Sequence, residues 1–156
     1  MASSNGRKTH GQVLEGLGRE MGVHSIMFHH AVAERLGLGI TDHKCLDFVL
    51  RRGGATAGQI AQATGLTSGA ITGVIDRLEK AGFARRQSDP NDRRKVIVVP
   101  RPERLPEIQK LFGSLGRNMA RVMSRYSARE AEIIIDFMRR AAEVMREANL
   151  KIRAEK

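Results

Sequence analysis

The sequence has little cysteine and no long apolar run, and each shortage excludes a class of protein. A single cysteine, Cys45, allows neither a disulfide within the chain nor a zinc site built from cysteines, and its apolar surroundings favour a buried structural thiol over a redox sensor. No apolar run approaches the roughly 18 residues that span a bilayer, and residues 1–8 lack the apolar stretch of a secretion signal. We therefore expect a cytoplasmic protein with no membrane partner.

Motifs that carry catalysis are also missing. The sequence offers no nucleophile beside a base, no cluster of metal ligands and no glycine pattern that binds phosphate. His24, His29 and His30 occur close together, but helical spacing points His24 and His29 in different directions, which favours packing or surface positions over a metal site. We predict a protein that is not an enzyme and holds neither a cofactor nor a metal ion.

Positive charge is what the sequence has in excess. Lysine and arginine total 27 against 17 acidic residues, a formal net charge of +10, which suits a polyanionic partner. Nucleic acid is the first candidate, and an anionic membrane surface or simple solubility are the alternatives. Half of the net charge lies between Arg51 and Lys95. Aromatic residues make up only 4%, which disfavours stacking on single strands and favours double-stranded DNA.

Both ends of the chain show helical periodicity. Apolar residues recur at three- and four-residue steps within 9–38 and 101–152, which predicts long amphipathic helices. These helices expose more apolar surface than a small domain between them can cover, so we predict a helical dimerisation region and a homodimer. Residues 1–8 have no periodic apolar positions and are predicted to form a flexible tail.

The residues between these helices, 40–100, are predicted to form a winged helix-turn-helix. Thr56 and Thr67 are N-cap candidates for two short helices separated by a glycine turn. Two predicted strands, 83–88 and 96–99, flank a turn-forming segment with a basic tip. The predicted fold class is mainly α with a small β-hairpin wing, a winged helix-turn-helix flanked by long dimerisation helices.

A motif in the predicted wing is similar to that of a known family. Residues 82–86 read Gly-Phe-Ala-Arg-Arg and residues 89–94 read Asp-Pro-Asn-Asp-Arg-Arg. With the helix before them they resemble the MarR (multiple antibiotic resistance) regulators, although Pro-Arg-Pro-Glu at 100–103 replaces the threonine that usually caps the next helix. The resemblance implies a dimer with interlocked terminal helices, a recognition helix in the major groove and a wing near the minor groove. Many members of the family are repressors released by small molecules.

The resemblance and the charge pattern together identify candidate DNA-binding residues. Ser68, Gly69 and Thr72 fall where the family contacts DNA from its recognition helix, and two arginines of the motif fall on the wing. Asp76 matches an aspartate that pairs with a wing arginine, so we expect an Asp76–Arg94 pair that orients the wing. The predicted DNA-binding residues are Thr67, Ser68, Gly69, Thr72, Arg77, Arg86, Arg93, Arg94 and Lys95.

The sequence also suggests a place for an effector. His24, Met27, Phe28 and Phe48 are expected where the first two helices meet the winged domain, and apolar walls there suit a small aromatic acid or phenol. Plain core packing is the alternative for these positions. The predicted function is that of a ligand-responsive repressor acting as a homodimer on a pseudo-palindromic operator. The alternative is an architectural DNA-binding protein with little sequence specificity.

Overall fold

A computed structural model describes residues 9–90, 92 and 94–155. The predicted tail at 1–8 and the wing residue Arg93 lie outside this part of the chain. The elements are α1 (His10–Arg35), α2 (Ile40–Arg52), β1 (Ala55–Thr56), α3 (Ala57–Thr64), α4 (Ser68–Lys80), β2 (Ala84–Ser88), β3 (Val96–Pro100), a 3-10 turn (Pro102–Arg104), α5 (Leu105–Met123) and α6 (Ala128–Ala154). The mainly helical fold class with a small wing is confirmed.

Short-range hydrogen bonds set the ends of the central helices. At the start of α3 the Thr56 hydroxyl accepts the Gln59 N–H at 3.2 Å, and the Gln59 side chain accepts the Thr56 N–H at 2.9 Å. This capping box satisfies two N–H groups that the helix itself leaves unpaired. The helix ends at Gly65, whose φ of 73° is the left-handed conformation that favours glycine. The predicted helix start and turn are confirmed.

The wing is part of a three-stranded antiparallel sheet with strand order β1-β3-β2. In the register, Ala55 of β1 and Arg86 of β2 both pair with Val98, the middle residue of β3. The sequence pattern does not predict β1, because this strand has only two residues. Gly54 makes this pairing possible, because its φ is 153° and a Cβ there would lie 3.0 Å from the Val99 side chain.

Two compact units divide the chain between Gln109 and Lys110. The first contains α1 to α4 and the sheet, and its core is apolar. Its largest fully buried side chains come from α2, α3, α4, the sheet and the turn between α4 and β2. They include Phe83, Leu46, Ile60, Ile71, Ile75, Leu78, Val49, Val74 and Val98. The core therefore holds the helix-turn-helix and the wing together as one domain.

The second unit contains most of α5 and all of α6, and its apolar residues are largely exposed. Within the described residues α6 has no buried side chain, and Phe137 and Met138 are 47% and 49% exposed. In the first unit, α1 likewise exposes Leu14, Leu17 and Met21. Both helices thus present apolar faces to solvent in a single copy. No helix in the described ranges combines the length and apolar character that a membrane crossing requires.

Candidate nucleic-acid interface

Helix α4 is anchored by one face and exposed at its start. Ile71, Val74, Ile75 and Leu78 are buried, at the three- and four-residue steps that define one helical face. The Thr67 hydroxyl accepts the Ala70 N–H at 3.3 Å and so caps the helix. The predicted contact residues at its start are all exposed, and they are Thr67, Ser68, Gly69 and Thr72. The first turn is therefore available to the edges of bases.

A buried carboxylate of α2 holds the last turn of α4. Arg77 donates two hydrogen bonds to Asp42, from Nε at 2.8 Å and from Nη2 at 2.7 Å. The Asp42 side chain is only 7% exposed, whereas 58% of the Arg77 side chain remains exposed. The hydrogen bond to Asp42 is the main cause that raises the pKa of Arg77. The 35-residue separation of this pair explains why the sequence analysis missed it.

A second arginine joins the wing to α4. Arg86 on β2 donates to Asp76 at 2.7 Å and forms an ion pair with Glu79, and its backbone N–H donates to the Glu79 carboxylate at 2.7 Å. These Arg86 ion pairs raise the pKa of Arg86, with the hydrogen bond to Asp76 as the largest cause. Side chains alternate along a strand, so Arg86 shares the face of buried Ala84. That face of the strand is directed toward the domain's interior.

The predicted Asp76–Arg94 pair is wrong. Asp76 pairs with Arg86, while the Arg94 guanidinium lies 3.6 Å from Asp92. The reason is position on the hairpin, because Arg86 is on β2, the strand that follows α4, whereas Arg94 lies in the turn at the far end of the hairpin. The Arg94 side chain is 96% exposed, and Lys95 is 62% exposed with its Nζ 3.3 Å from Asp92. The tip therefore presents cations.

The four predicted effector residues do not share one environment. His24 lies 3.9 Å from Glu20 with 73% of its side chain exposed, and Met27 is 63% exposed. Phe28 and Phe48 are partly buried, and the Arg52 guanidinium lies over the Phe48 ring at 5.4 Å. A cleft of about 520 Å³ lies instead between the segment around β1 and the turn of the wing, and none of these four residues lines it. Its lining includes Arg52, Thr56, Gln59, Asp89 and Lys95.

Two other groups noted in the sequence have defined surroundings. Cys45 is buried, and burial raises the pKa of its thiol to about 11, so it is protonated near neutral pH. His29 contacts His43 of α2, with its Nδ1 3.1 Å from the His43 Nε2. The sequence does not predict this contact, because His29 and His43 are 14 residues apart in the chain. Within the described ranges no group of three or more metal-ligating side chains occurs.

Comparison with known proteins agrees with this geometry. Residues 36–95 match the family model described as MarR family. The chain is 38% identical to the uncharacterized HTH-type transcriptional regulator YcgE of Bacillus subtilis (strain 168) over 94% of this chain and 96% of that protein. A MarR family protein from Bacillus stearothermophilus has the same fold, with a TM-score of 0.66 at 19% identity over 89% of this chain and 99% of that chain.

A third comparison is with BpsR of Bordetella bronchiseptica, which matches with a TM-score of 0.53 at 18% identity over 88% of this chain and 98% of that chain. The winged domain, the exposed start of α4 and these matches define the class of the protein. The chain belongs to the MarR family. It is a DNA-binding transcriptional regulator, and α4 occupies the position of the recognition helix in the helix-turn-helix.

Proposed function

We propose that this regulator is a ligand-responsive repressor that binds a pseudo-palindromic operator as a homodimer. The observation that supports the proposal is the exposed first turn of α4 beside a wing with an exposed cationic tip. A helix that is anchored on one face and open at its start is suited to reading base edges. Residues 40–100 form the proposed DNA-binding domain.

The proposed DNA contacts fall into two groups, those that read base edges and those that position the protein on the phosphates. We assign Thr67, Ser68, Gly69 and Thr72 to base edges and nearby phosphates, because their small side chains let the helix approach the groove. Gly69 has no atom within 4 Å of the place a Cβ would occupy, so its surface is open. The cations of the wing, Arg93, Arg94 and Lys95, are assigned to phosphates or a minor groove. Arg77 and Arg86 are proposed to contact phosphates from the positions that their carboxylate partners fix.

The exposed apolar faces support the homodimer. Leu14 and Leu17 of α1 are 48% and 50% exposed, and Phe137 and Met138 of α6 are exposed to a similar extent. Apolar faces of this kind on long helices mark association surfaces. A second copy of the chain presents the same faces and can cover them through a two-fold axis. We therefore propose residues 9–38 and 101–152 as the dimerisation region.

Footprinting of the DNA upstream of the chain's own coding region tests the operator. We expect a discrete imperfect palindrome whose half-sites are about 10 base pairs apart, or a multiple of that spacing, centre to centre. Affinity should fall steeply with salt, because lysine and arginine contacts release counterions. Insertion of half a helical turn between the half-sites should abolish tight binding.

A variant tests the dimer in the same experiment. Phe137→Asp places a charge on the apolar face of α6, so it should sediment as a monomer and lose tight binding. Arg139→Asp changes charge at a neighbouring exposed position and should stay dimeric. Equal affinity for operator and random duplex at moderate salt would support the architectural alternative. A stable folded monomer of the unaltered chain at micromolar concentration would contradict the dimer.

The proposed effector is a small aromatic acid or phenol. BpsR is a protein whose DNA binding is regulated by 6-hydroxynicotinic acid, which supports this ligand class. Of the four predicted residues, Phe28 and Phe48 are the proposed contacts because they are partly buried, whereas His24 and Met27 are largely exposed. Binding to the folded state should raise the melting temperature, and binding that favours a DNA-free form should also weaken operator affinity. Saturating aromatic acids that change neither the melting temperature nor the affinity would argue for plain packing at these positions.

A further inference from the structure

The first turns of α2 contain two consecutive buried polar side chains. Asp42 is 5% exposed and His43 is 1% exposed, and within the described ranges they are the buried polar or charged residues. Buried polar groups need hydrogen-bond partners. Asp42 finds its partner on α4 and His43 finds one on α1. One turn of α2 therefore connects the N-terminal helix to the recognition helix.

The connection to α4 is directional. Arg77 meets Asp42 with two hydrogen bonds in the planar fork geometry that guanidinium and carboxylate share. Such a pair fixes both distance and orientation between the two helices. Arg77 lies five residues beyond Thr72 on the same helix, so movement of Asp42 is passed to the exposed first turns of α4.

The connection to α1 is titratable. His29 and His43 approach to 3.1 Å, with ring centroids 5.4 Å apart, so one ring donates and the other accepts when both are neutral. Burial lowers the pKa of His43, His29 lowers it further, and Asp47 of α2 raises it. An additional proton places a positive charge where burial disfavours it.

We propose that Asp42 and His43 form a positioning pair through which protonation of the His29–His43 contact alters the placement of α4 and weakens operator binding. In acid the charged contact loosens the packing of α1 on α2. The same turn of α2 carries Asp42, so the change reaches Arg77 and the recognition helix. The inference depends on operator binding, which is measured separately at neutral pH.

The sign of the pH effect distinguishes this mechanism from simple electrostatics. In simple electrostatics, any positive charge that the protein gains in acid should strengthen its binding to DNA. The positioning pair predicts the opposite, a loss of affinity as the pH falls below the ordinary histidine value of 6.5. Folding stability should also fall in acid. Because the pKa of His43 is lowered in the folded protein, the unfolded chain binds more protons at acid pH and is favoured there.

Operator affinity measured from about pH 7.5 to 5.5 at constant ionic strength tests the proposal, with circular dichroism melts that confine the comparison to folded protein. We expect the unaltered chain to lose about fivefold or more in affinity, the lower end of ordinary coupling between sites. His43→Gln and the less buried His29→Gln retain a donor and an acceptor without titrating. Each variant is compared with its own affinity at pH 7.5, and both should lose the acid effect.

Two further variants separate positioning from general structure. His24→Gln removes an exposed histidine of α1 and should keep the full acid effect. Asp42→Asn keeps the imidazole contact but removes the charge that orients Arg77, so its affinity should no longer depend on the protonation of that contact. Affinity of the unaltered chain that stays constant or rises in acid would overturn the proposal. An acid effect that persists in both His29→Gln and His43→Gln would do the same.

Discussion

Replacing Arg86 by alanine should weaken operator binding about tenfold or more while changing folding stability little. Arg86 joins β2 to Asp76 and Glu79 of α4, and 34% of its side chain is exposed. Ion pairs at such partly exposed positions contribute about 0–1 kcal/mol to folding. Without the ion pairs of Arg86, the wing must become ordered when DNA binds, and this ordering costs free energy. Each side chain immobilised then costs about 0.5–1.5 kcal/mol, and the cost arises in both subunits of a dimer.

The matched control for this prediction is Arg85→Ala. Arg85 is the neighbouring residue on β2 and has the opposite side-chain direction, so its removal deletes the same charge but no contact with α4. Gel-shift titrations at one salt concentration compare the two variants, and thermal melts follow folding. Equal losses of affinity would show that charge alone matters and would refute a positioning role. Arg86→Lys should recover part of the affinity, since an amine can meet only some of the two carboxylates' acceptors.

Replacing Phe83 by alanine should destabilise the winged domain by about 3–5 kcal/mol, the usual cost of truncating a buried phenylalanine. Phe83 is 1% exposed, and the Arg104 guanidinium lies 4.1 Å from its ring centre. Its backbone also joins elements, because its N–H donates to Leu78 and its carbonyl accepts from Arg101. The side chain therefore fills the core where α4 turns into the wing.

Urea titrations of the purified chain measure this loss directly. Domains of this kind have total stabilities of about 5–15 kcal/mol, so Phe83→Ala should remove a large share of it. Phe83→Leu keeps most of the buried volume and should lose less than about 1.5 kcal/mol if the neighbours repack. A loss below about 1 kcal/mol for the alanine variant would contradict a central place for Phe83 in the core.

The wing shows which structural features the sequence motif predicted correctly and which it did not. The motif at 89–94 predicted a basic hairpin next to a recognition helix, and both are present. The ion partner of Asp76 was predicted from the resemblance to be Arg94, but the structure has Arg86 there. Sequence spacing cannot separate these two arginines, because the choice depends on which strand follows α4 and which strand face is directed toward it. The register of β2 against β3 settles that choice.

The buried contacts of α2 illustrate what a sequence analysis of single segments misses. His24, His29 and His30 are close together in the chain, yet the ring that His29 contacts belongs to His43 of another helix. Asp42 is an acidic residue in the first turn of α2, and it also holds Arg77 of another helix. His43 and Arg77 are both more than one helical turn away in sequence from the residues they contact, so local periodicity does not predict these pairs.

The sequence by itself determined the helices, the caps of α3 and α4 and the basic wing. These features depend on neighbours three or four residues apart, as in Thr56 with Gln59 and Ser127 with Glu130, so local hydrogen bonding and apolar periodicity specify them. The tertiary structure alone decided the short strand β1, the Arg86 ion pairs and the partners of Asp42 and His43. Those contacts join residues from separate elements. Their existence depends on strand register and helix packing angles, which only the assembled core fixes.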